Sequence, residues 1–410
     1  LIRQGYHLPV KEGAIMSETA FRVPRSTCQL FGTIKALSTI KNAIILVHGP
    51  KGCVYHINYI LGLRGDRPSE IFSTCLDEHD VIFGAEEKLT RAITELDGIF
   101  HPDFLFVLSC CASGIIGEDV NAAVSGASIR SRAIAIESGG FEGDHAGGYK
   151  HTLARIVSTL AEKTGESLPS TINLIGVLRS GPDLQEIQEI LARSGISVNA
   201  VLTAGLRKDQ LLRMGDVSLN VVVCEASGRD AAHVLFEKFG TPYVQCDLPV
   251  GGRATKTFLE KIRTALLLPH IEGDQRSDAD LPLPHSSLRI AIFSGPTRAI
   301  ALSRFLGDLS CMPSLIVLDF PPPSFDQIKE AAGKDCLILI EPDHQAIHEA
   351  LVGQKIDLIL GGMLERPLAT LLGIRIIDVM HGSQRTVGFE GARILADLIS
   401  GSDPPESGSS

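Results

Sequence analysis

Tryptophan is absent from this chain of 410 residues, and aromatic side chains make up only 5% of it. Clustered basic residues are missing too: 38 Lys and Arg are scattered among 48 Asp and Glu, for a formal charge of −10. A nucleic-acid partner would need a concentrated cationic face, so that class is excluded. No apolar run is long enough to cross a bilayer, which argues against a membrane protein. No charged segment leads into a signal-type apolar stretch, so the cytoplasm is the expected compartment. The nine cysteines include no Cys-x-x-Cys pair, which argues against a zinc knuckle. Without a secretory leader they do not suggest a disulfide framework either. A Walker loop is also missing, because "HGPKGC" (48–53) lacks the Gly-x-x-x-x-Gly-Lys-Ser/Thr spacing.

What is present is glycine, at 40 residues, with 44% hydrophobic side chains. That is the profile of an α/β protein with many tight strand-to-helix turns. Strand-like runs fall at 44–47, 104–109, 133–137, 172–178, 197–202 and 219–224, and again at 288–293, 314–319, 336–340, 357–360 and 374–380. Between them lie amphipathic stretches such as "DLQEIQEILARSG" (183–195) and "RDAAHVLFEKFG" (229–240), each closed by glycine. Continuous apolar strands separated by helices predict parallel sheets covered on both faces. The length suits two or three cores. Three Rossmann-like domains are expected, at 25–168, 169–270 and 288–401, with a polar linker at 271–287. Residues 1–24 are expected to be an N-terminal extension and 402–410 a disordered tail.

Open parallel sheets bind ligands at the carboxyl ends of their strands, where the loops converge. Four reactive side chains fall there: Cys53 after 44–47, Cys111 after 104–109, Cys224 closing 219–224, and His381 after 374–380. Cys28 precedes a probable helix, "QLFGTIKAL", as Cys53 does, and a helix N-terminus favours a thiolate. Cys246, Cys311 and Cys336 lie near strands and read as inert core thiols. A nucleophilic pair of Cys53 with His48 or His56 is conceivable, but it gives Cys28, Cys111, Cys224 and His381 no purpose. Thiols from separated loops fit tetrahedral zinc poorly and fit iron–sulfur clusters better.

Several stretches, taken in order, resemble the signatures of nitrogenase component 1 and its relatives. They are "VHGPKGC" (47–53), "STCLDEHDVIFGAEEKL" (73–89), "SCCASGIIGEDV" (109–120), "LNVVVCEASGRDAAHVLFEKFGTPYV" (219–244) and "DVMHGSQRTVGFEGARILADL" (378–398). The resemblance implies that Cys28, Cys53 and Cys111 hold one subunit's share of an interface iron–sulfur cluster, either [4Fe-4S] or the [8Fe-7S] P-cluster type. Three thiolates are an incomplete set for a cubane, so a homologous β-type subunit is implied, in an α2β2 assembly. Cys224 and His381 match the two anchors of the catalytic cofactor, which would be FeMo-cofactor-like or resemble its all-iron precursor. Electrons would come from an ATP-hydrolysing iron protein and pass to a small-molecule substrate. Cys75 and Cys110 are left open as ligands.

The chain departs from the family pattern at three positions. His145 and Tyr149 stand where a glutamine and a histidine line the cofactor, and both become candidates for proton delivery or substrate positioning. Glu365 stands where a lysine helps hold homocitrate. A carboxylate beside a tricarboxylate would repel it. The resemblance therefore implies a nitrogenase-like reductase of α type, with C–S cleavage of methylthio-alkanes as the specific expectation. Its rivals are a nickel-tetrapyrrole reductive cyclase, a non-catalytic cofactor-assembly scaffold and, outside the family, a plain α/β binding protein.

Overall fold

The computed structural model describes residues 2–4, 27–63, 70–165, 167–176, 179–269, 278, 281–285, 287–382 and 384–401. Three parallel sheets carry the chain, as the uninterrupted apolar strands require. The first runs Glu70–Ser73, Ala43–His48, Phe104–Ser109, Arg132–Ile136 in spatial order. Its two central strands are buried at every position, so both faces are covered by helices. The second runs Ser197–Val201, Leu168–Ile175, Val217–Val222, Tyr243–Gln245. The third has six strands, centred on Ile290–Ser294 and Leu315–Leu318.

Local chemistry accounts for many of the helix boundaries. Helix Glu78–Phe83 opens on a capping box between Asp77 and Asp80. Helix Glu86–Phe100 buries Leu89, Ile93 and Leu96, one face at helical spacing. Helix Glu225–Phe239 stops at Gly240, whose φ of 72° is left-handed.

The structure differs from the sequence expectation in several places. The short edge strands Glu70–Ser73 and Tyr243–Gln245 were not anticipated, because three or four half-exposed residues carry little pattern. The second sheet begins at Leu168, so the expected division at 168/169 falls inside a strand. The expected extension at 1–24 contributes strand Ile2–Gln4, which pairs in parallel with Leu337–Ile340 of the third sheet. Helix Gly388–Ser400, assigned to the third domain, packs on helices Pro182–Arg193 and Gly252–Ala265 of the second. The 402–410 tail and most of the 271–287 linker lie outside the described residues.

The first two domains join through helices. Helix His145–Leu160 is pressed between Gln29–Leu37 and Glu225–Phe239. A Cβ at Gly32 would collide with the His145 carbonyl, and one at Gly148 with the Gln29 carbonyl. Only glycine allows the backbones so close. Further along, buried Asp216 accepts hydrogen bonds from the Thr164 and Gly165 amides and the Thr164 hydroxyl, tying the end of the first domain to the second. Burial acts to raise this carboxyl's pKa, but those hydrogen bonds outweigh it and hold the pKa below the usual range.

Three outcomes follow. Gly32→Ala and Gly148→Ala should each destabilise the chain by at least ~1–3 kcal/mol in denaturant unfolding, since the added methyl meets backbone. Gly98→Ala, in open space on helix Glu86–Phe100, should be neutral or stabilising by up to ~1 kcal/mol. Asp216 stabilises the fold above its unfolded pKa, and this contribution is lost as pH falls through the lower folded value. Asp216→Asn should therefore cost stability at neutral pH, on the order of 1–3 kcal/mol, with the difference from wild type shrinking in acid.

Candidate functional site

Two adjoining sites share one β-bridge. Cys28 pairs with Asp144 in an isolated antiparallel bridge, held by Gln29 N–H to Gly143 O at 3.1 Å and His145 N–H to Thr27 O at 3.0 Å. Thr27 and His145 line an interior cleft, whereas Cys28 is exposed on the other side.

On that outer side the thiols gather. Cys28 and Cys111 stand at the starts of helices Gln29–Leu37 and Cys111–Ile116, and Cys53 lies in the first turn of Lys51–Leu63. The Gly140 amide donates to Cys111 Sγ at 3.0 Å. A Cβ on Gly140 would come within 3.0 Å of that sulfur and 3.2 Å of the Cys28 Cβ, so glycine leaves the space between the thiols clear. Cys53 hydrogen-bonds Cys110 and feels Cys111 and Cys28, and with burial this drives its pKa above the usual thiol range. Cys110 is drawn down to about 6, first by the Cys53 hydrogen bond and then, against burial, by the Ser113 and Ala112 groups around it. Cys110 is buried, and Cys75 is exposed on the loop after Glu70–Ser73. Among the described residues, no three His, Cys, Asp or Glu side chains converge as a lone metal ion needs.

Exposed apolar and aromatic side chains lie close to these thiols in the chain. Tyr55 and Tyr59 follow Cys53 on its helix, Ile115 follows Cys111, and Phe141 follows Gly140. Their exposures run from 58% to 80%, high for groups of this kind.

An interior cleft of about 180 Å³, partly open to solvent, lies where helices of the first domain meet the second and third sheets. Cys224 caps helix Glu225–Phe239 from the second sheet, and its sulfur lies 3.1 Å from the Thr297 hydroxyl. His381 enters from the third sheet. Its Nδ1 lies 3.1 Å and 3.2 Å from the two Asp378 oxygens, leaving Nε2 as the nitrogen not committed to Asp378. Burial acts to raise the Asp378 pKa, but the Met380 and His381 amides and the His381 ring outweigh it and hold this carboxyl below its usual range. Gly362 lies against the His381 ring and donates its N–H to Glu365 at 2.8 Å. Arg298 is held by Asp183 at 3.1 Å and by the Thr386 hydroxyl at 2.8 Å. Phe293, Leu248, Val317 and Met380 make much of the remaining wall apolar.

The family model for nitrogenase component 1 type oxidoreductases matches residues 28–402. The chain belongs to that family. It is 30% identical, over 92% of its length and 87% of the relative's, to the nitrogenase iron-molybdenum cofactor biosynthesis protein NifE of Clostridium pasteurianum. It is 25% identical, over 93% and 94%, to the nitrogenase molybdenum-iron protein beta chain of Methanococcus maripaludis. The solved structure of nitrogenase Cp1 at pH 6.5 superposes with a TM-score of 0.81 at 22% identity, covering 95% of this chain and 94% of that one, which establishes the shared fold.

Within this nitrogenase component 1 fold, the expected residues divide between the two sites. Cys28, Cys53 and Cys111 gather on the outer face, while Cys224, His381 and His145 line the cleft. Tyr149 is placed apart from them. It is 6% exposed and packs in the core beneath helix Gln29–Leu37 rather than lining the cleft. It sits one turn deeper than His145 on the same helix, where the close backbone approach covers it. Glu365 faces the cleft as expected, but it also caps the turn at Gly362. Missed from sequence were Lys35, Arg179, Thr297, Arg298, Asp319 and Glu341, all in the cleft wall. Thr297, Asp319 and Glu341 follow closely on strands Ile290–Ser294, Leu315–Leu318 and Leu337–Ile340, so the strand-end rule extended to polar residues finds them.

Anaerobic alkylation of the thiols tests this arrangement. Cys28 and Cys75 should react first. Cys246 and Cys336, buried and with pKa values pushed up to about 12, should resist until the chain unfolds, as mapped by peptide mass spectrometry.

Proposed function

We propose that the chain is the α-type subunit of a nitrogenase-like iron–sulfur reductase. The observation that carries this reading is that Cys224 and His381 come from different sheets into one cleft. A soft thiolate and an imidazole nitrogen on separate walls suit a body larger than a single ion. They would hold a complex iron–sulfur cofactor, FeMo-cofactor-like or resembling an all-iron precursor, which supplies low-potential electrons to substrate. Asp378 sets the His381 tautomer and ring orientation. His145 stands in the wall as a proton-handling group.

Cys28, Cys53 and Cys111 would hold part of a second cluster, of [4Fe-4S] or P-cluster type. The exposed side chains of Tyr55, Tyr59, Ile115 and Phe141 would be covered by a homologous β-type subunit that completes the ligand set, giving α2β2. Electrons would reach this outer cluster from an ATP-hydrolysing iron protein and cross the Cys28–Asp144 bridge to the cleft. The apolar part of the wall suits a small uncharged substrate, and reductive C–S cleavage of a methylthio-alkane is the reaction proposed. A second reading, a scaffold on which such a cofactor is assembled and passed on, is favoured by the name of the Clostridium pasteurianum relative. His381 counts against it, because a second anchor hinders release.

The test uses anaerobically purified complex. Cys224→Ala and His381→Ala should each weaken cofactor retention by at least ~10–100-fold, judged by iron content, and abolish one EPR signal while the outer-cluster signal survives. Unchanged iron and spectra in both variants would sink the cleft as a cofactor site. Ethylene from 2-methylthioethanol in the reconstituted system supports C–S cleavage. Transfer of the cofactor to an apo-acceptor without turnover supports the scaffold.

A further inference from the structure

We propose that Glu341 is the proton donor of the cleft. This rests on the cofactor reading above. Glu341 lines the same cleft as Cys224 and His381. It follows strand Leu337–Ile340 directly, at the carboxyl end where such sheets place their reactive groups. Its amide donates to the Leu318 carbonyl at 3.0 Å, which fixes it beside the neighbouring strand. Its φ is 47°, a left-handed conformation that costs any side-chain-bearing residue energy. Pro342 follows, which narrows its backbone choices further. A strained glutamate at a cleft wall is the kind of feature that clusters at functional sites.

Its surroundings favour the protonated form. Burial raises the carboxyl's pKa, and the negative charges of Asp144 and Asp319 raise it further. Asp144 caps helix His145–Leu160, and Asp319 follows strand Leu315–Leu318. The cations of the wall are engaged with other groups: Arg298 is bound to Asp183 and Thr386, and Lys35 lies 5.7 Å over the Tyr149 ring. Arg179 completes the cationic groups. Among the remaining titratable groups of the wall, Glu365 takes the Gly362 amide and His381 is turned to Asp378. His145 sets its ring edge against Phe320. Asp319 is exposed and serves as a path from solvent.

The chemistry balances. Cleaving a C–S bond reductively takes two electrons and two protons and forms one C–H and one S–H bond. The electrons come from the low-potential iron–sulfur reductant. Glu341 gives up its carboxyl proton, becomes a carboxylate, and is reprotonated from water by way of Asp319 and Asp144 before the second transfer. A carboxyl whose pKa is raised suits this cycle better than an ordinary glutamate.

The test compares wild type, Glu341→Gln and Glu341→Asp, as apo chain and as loaded complex. In the apo chain, infrared spectra should show a protonated carboxyl persisting above the usual glutamate range and missing from Glu341→Gln. In the loaded complex, iron content and EPR should match wild type in both variants. Turnover should fall by about 100-fold in Glu341→Gln, and Glu341→Asp should recover part of it with a shifted pH profile. Matched iron with unchanged turnover and pH profile in Glu341→Gln overturns the donor role alone. Absence of cofactor iron from wild type overturns the cofactor reading and the donor role with it. An apo-chain infrared titration at ordinary glutamate pH overturns the assignment of Glu341 whatever the iron content.

Discussion

Backbone-to-backbone contact between helices Gln29–Leu37 and His145–Leu160 is the constraint on which both sites depend. Gly32 and Gly148 let the two helices approach until a single methyl would strike a carbonyl. That closeness brings 27–29 beside 143–145 and makes the Cys28–Asp144 bridge. Alternation along so short a bridge sends Cys28 outward and its neighbour Thr27 into the cleft. Two sites of different chemistry thus stand one residue apart in the chain. A looser helix pair would separate them.

Polar contacts between domains set the shape of the cleft. Asp183, at the start of helix Pro182–Arg193, accepts from the Thr386 amide and hydroxyl and from Arg298, so one carboxylate joins the second sheet's layer to two segments of the third. Arg385 reaches Glu186 on the same helix at 2.7 Å. Glu186 and Asp183 are buried or nearly so, and such charges persist in a fold only when they are paired. The return of helix Gly388–Ser400 to the second domain is the apolar counterpart, burying Ala392, Leu395 and Ile399. Together they hold His381 at a defined place relative to Cys224.

Much of the fold was legible because its cause is local. Strands such as Ala43–His48 and Phe104–Ser109 are unbroken apolar runs, and their burial on both faces follows from that alone. Cys53, Cys111, Cys224 and His381 were recognisable because a parallel sheet presents the loops after its strands to one edge. Short edge strands were not, since Tyr243–Gln245 has too few residues to show a period. Nor was the last helix's partner, because amphipathicity tells a helix which face to bury and not against what.

Sequence alone determined the alternation of elements, the family, and which thiols and imidazoles reach strand ends, since each depends on neighbours within a few positions. Tertiary structure decided which of those groups meet. Tyr149 shares a helix face with His145 yet lies under another helix, while Glu341, in an unremarkable "LIEPD", stands in the cleft. The reason is that burial and charge at these positions come from other elements of the fold, helix Gln29–Leu37 over Tyr149 and Asp144 and Asp319 beside Glu341, which no local pattern encodes.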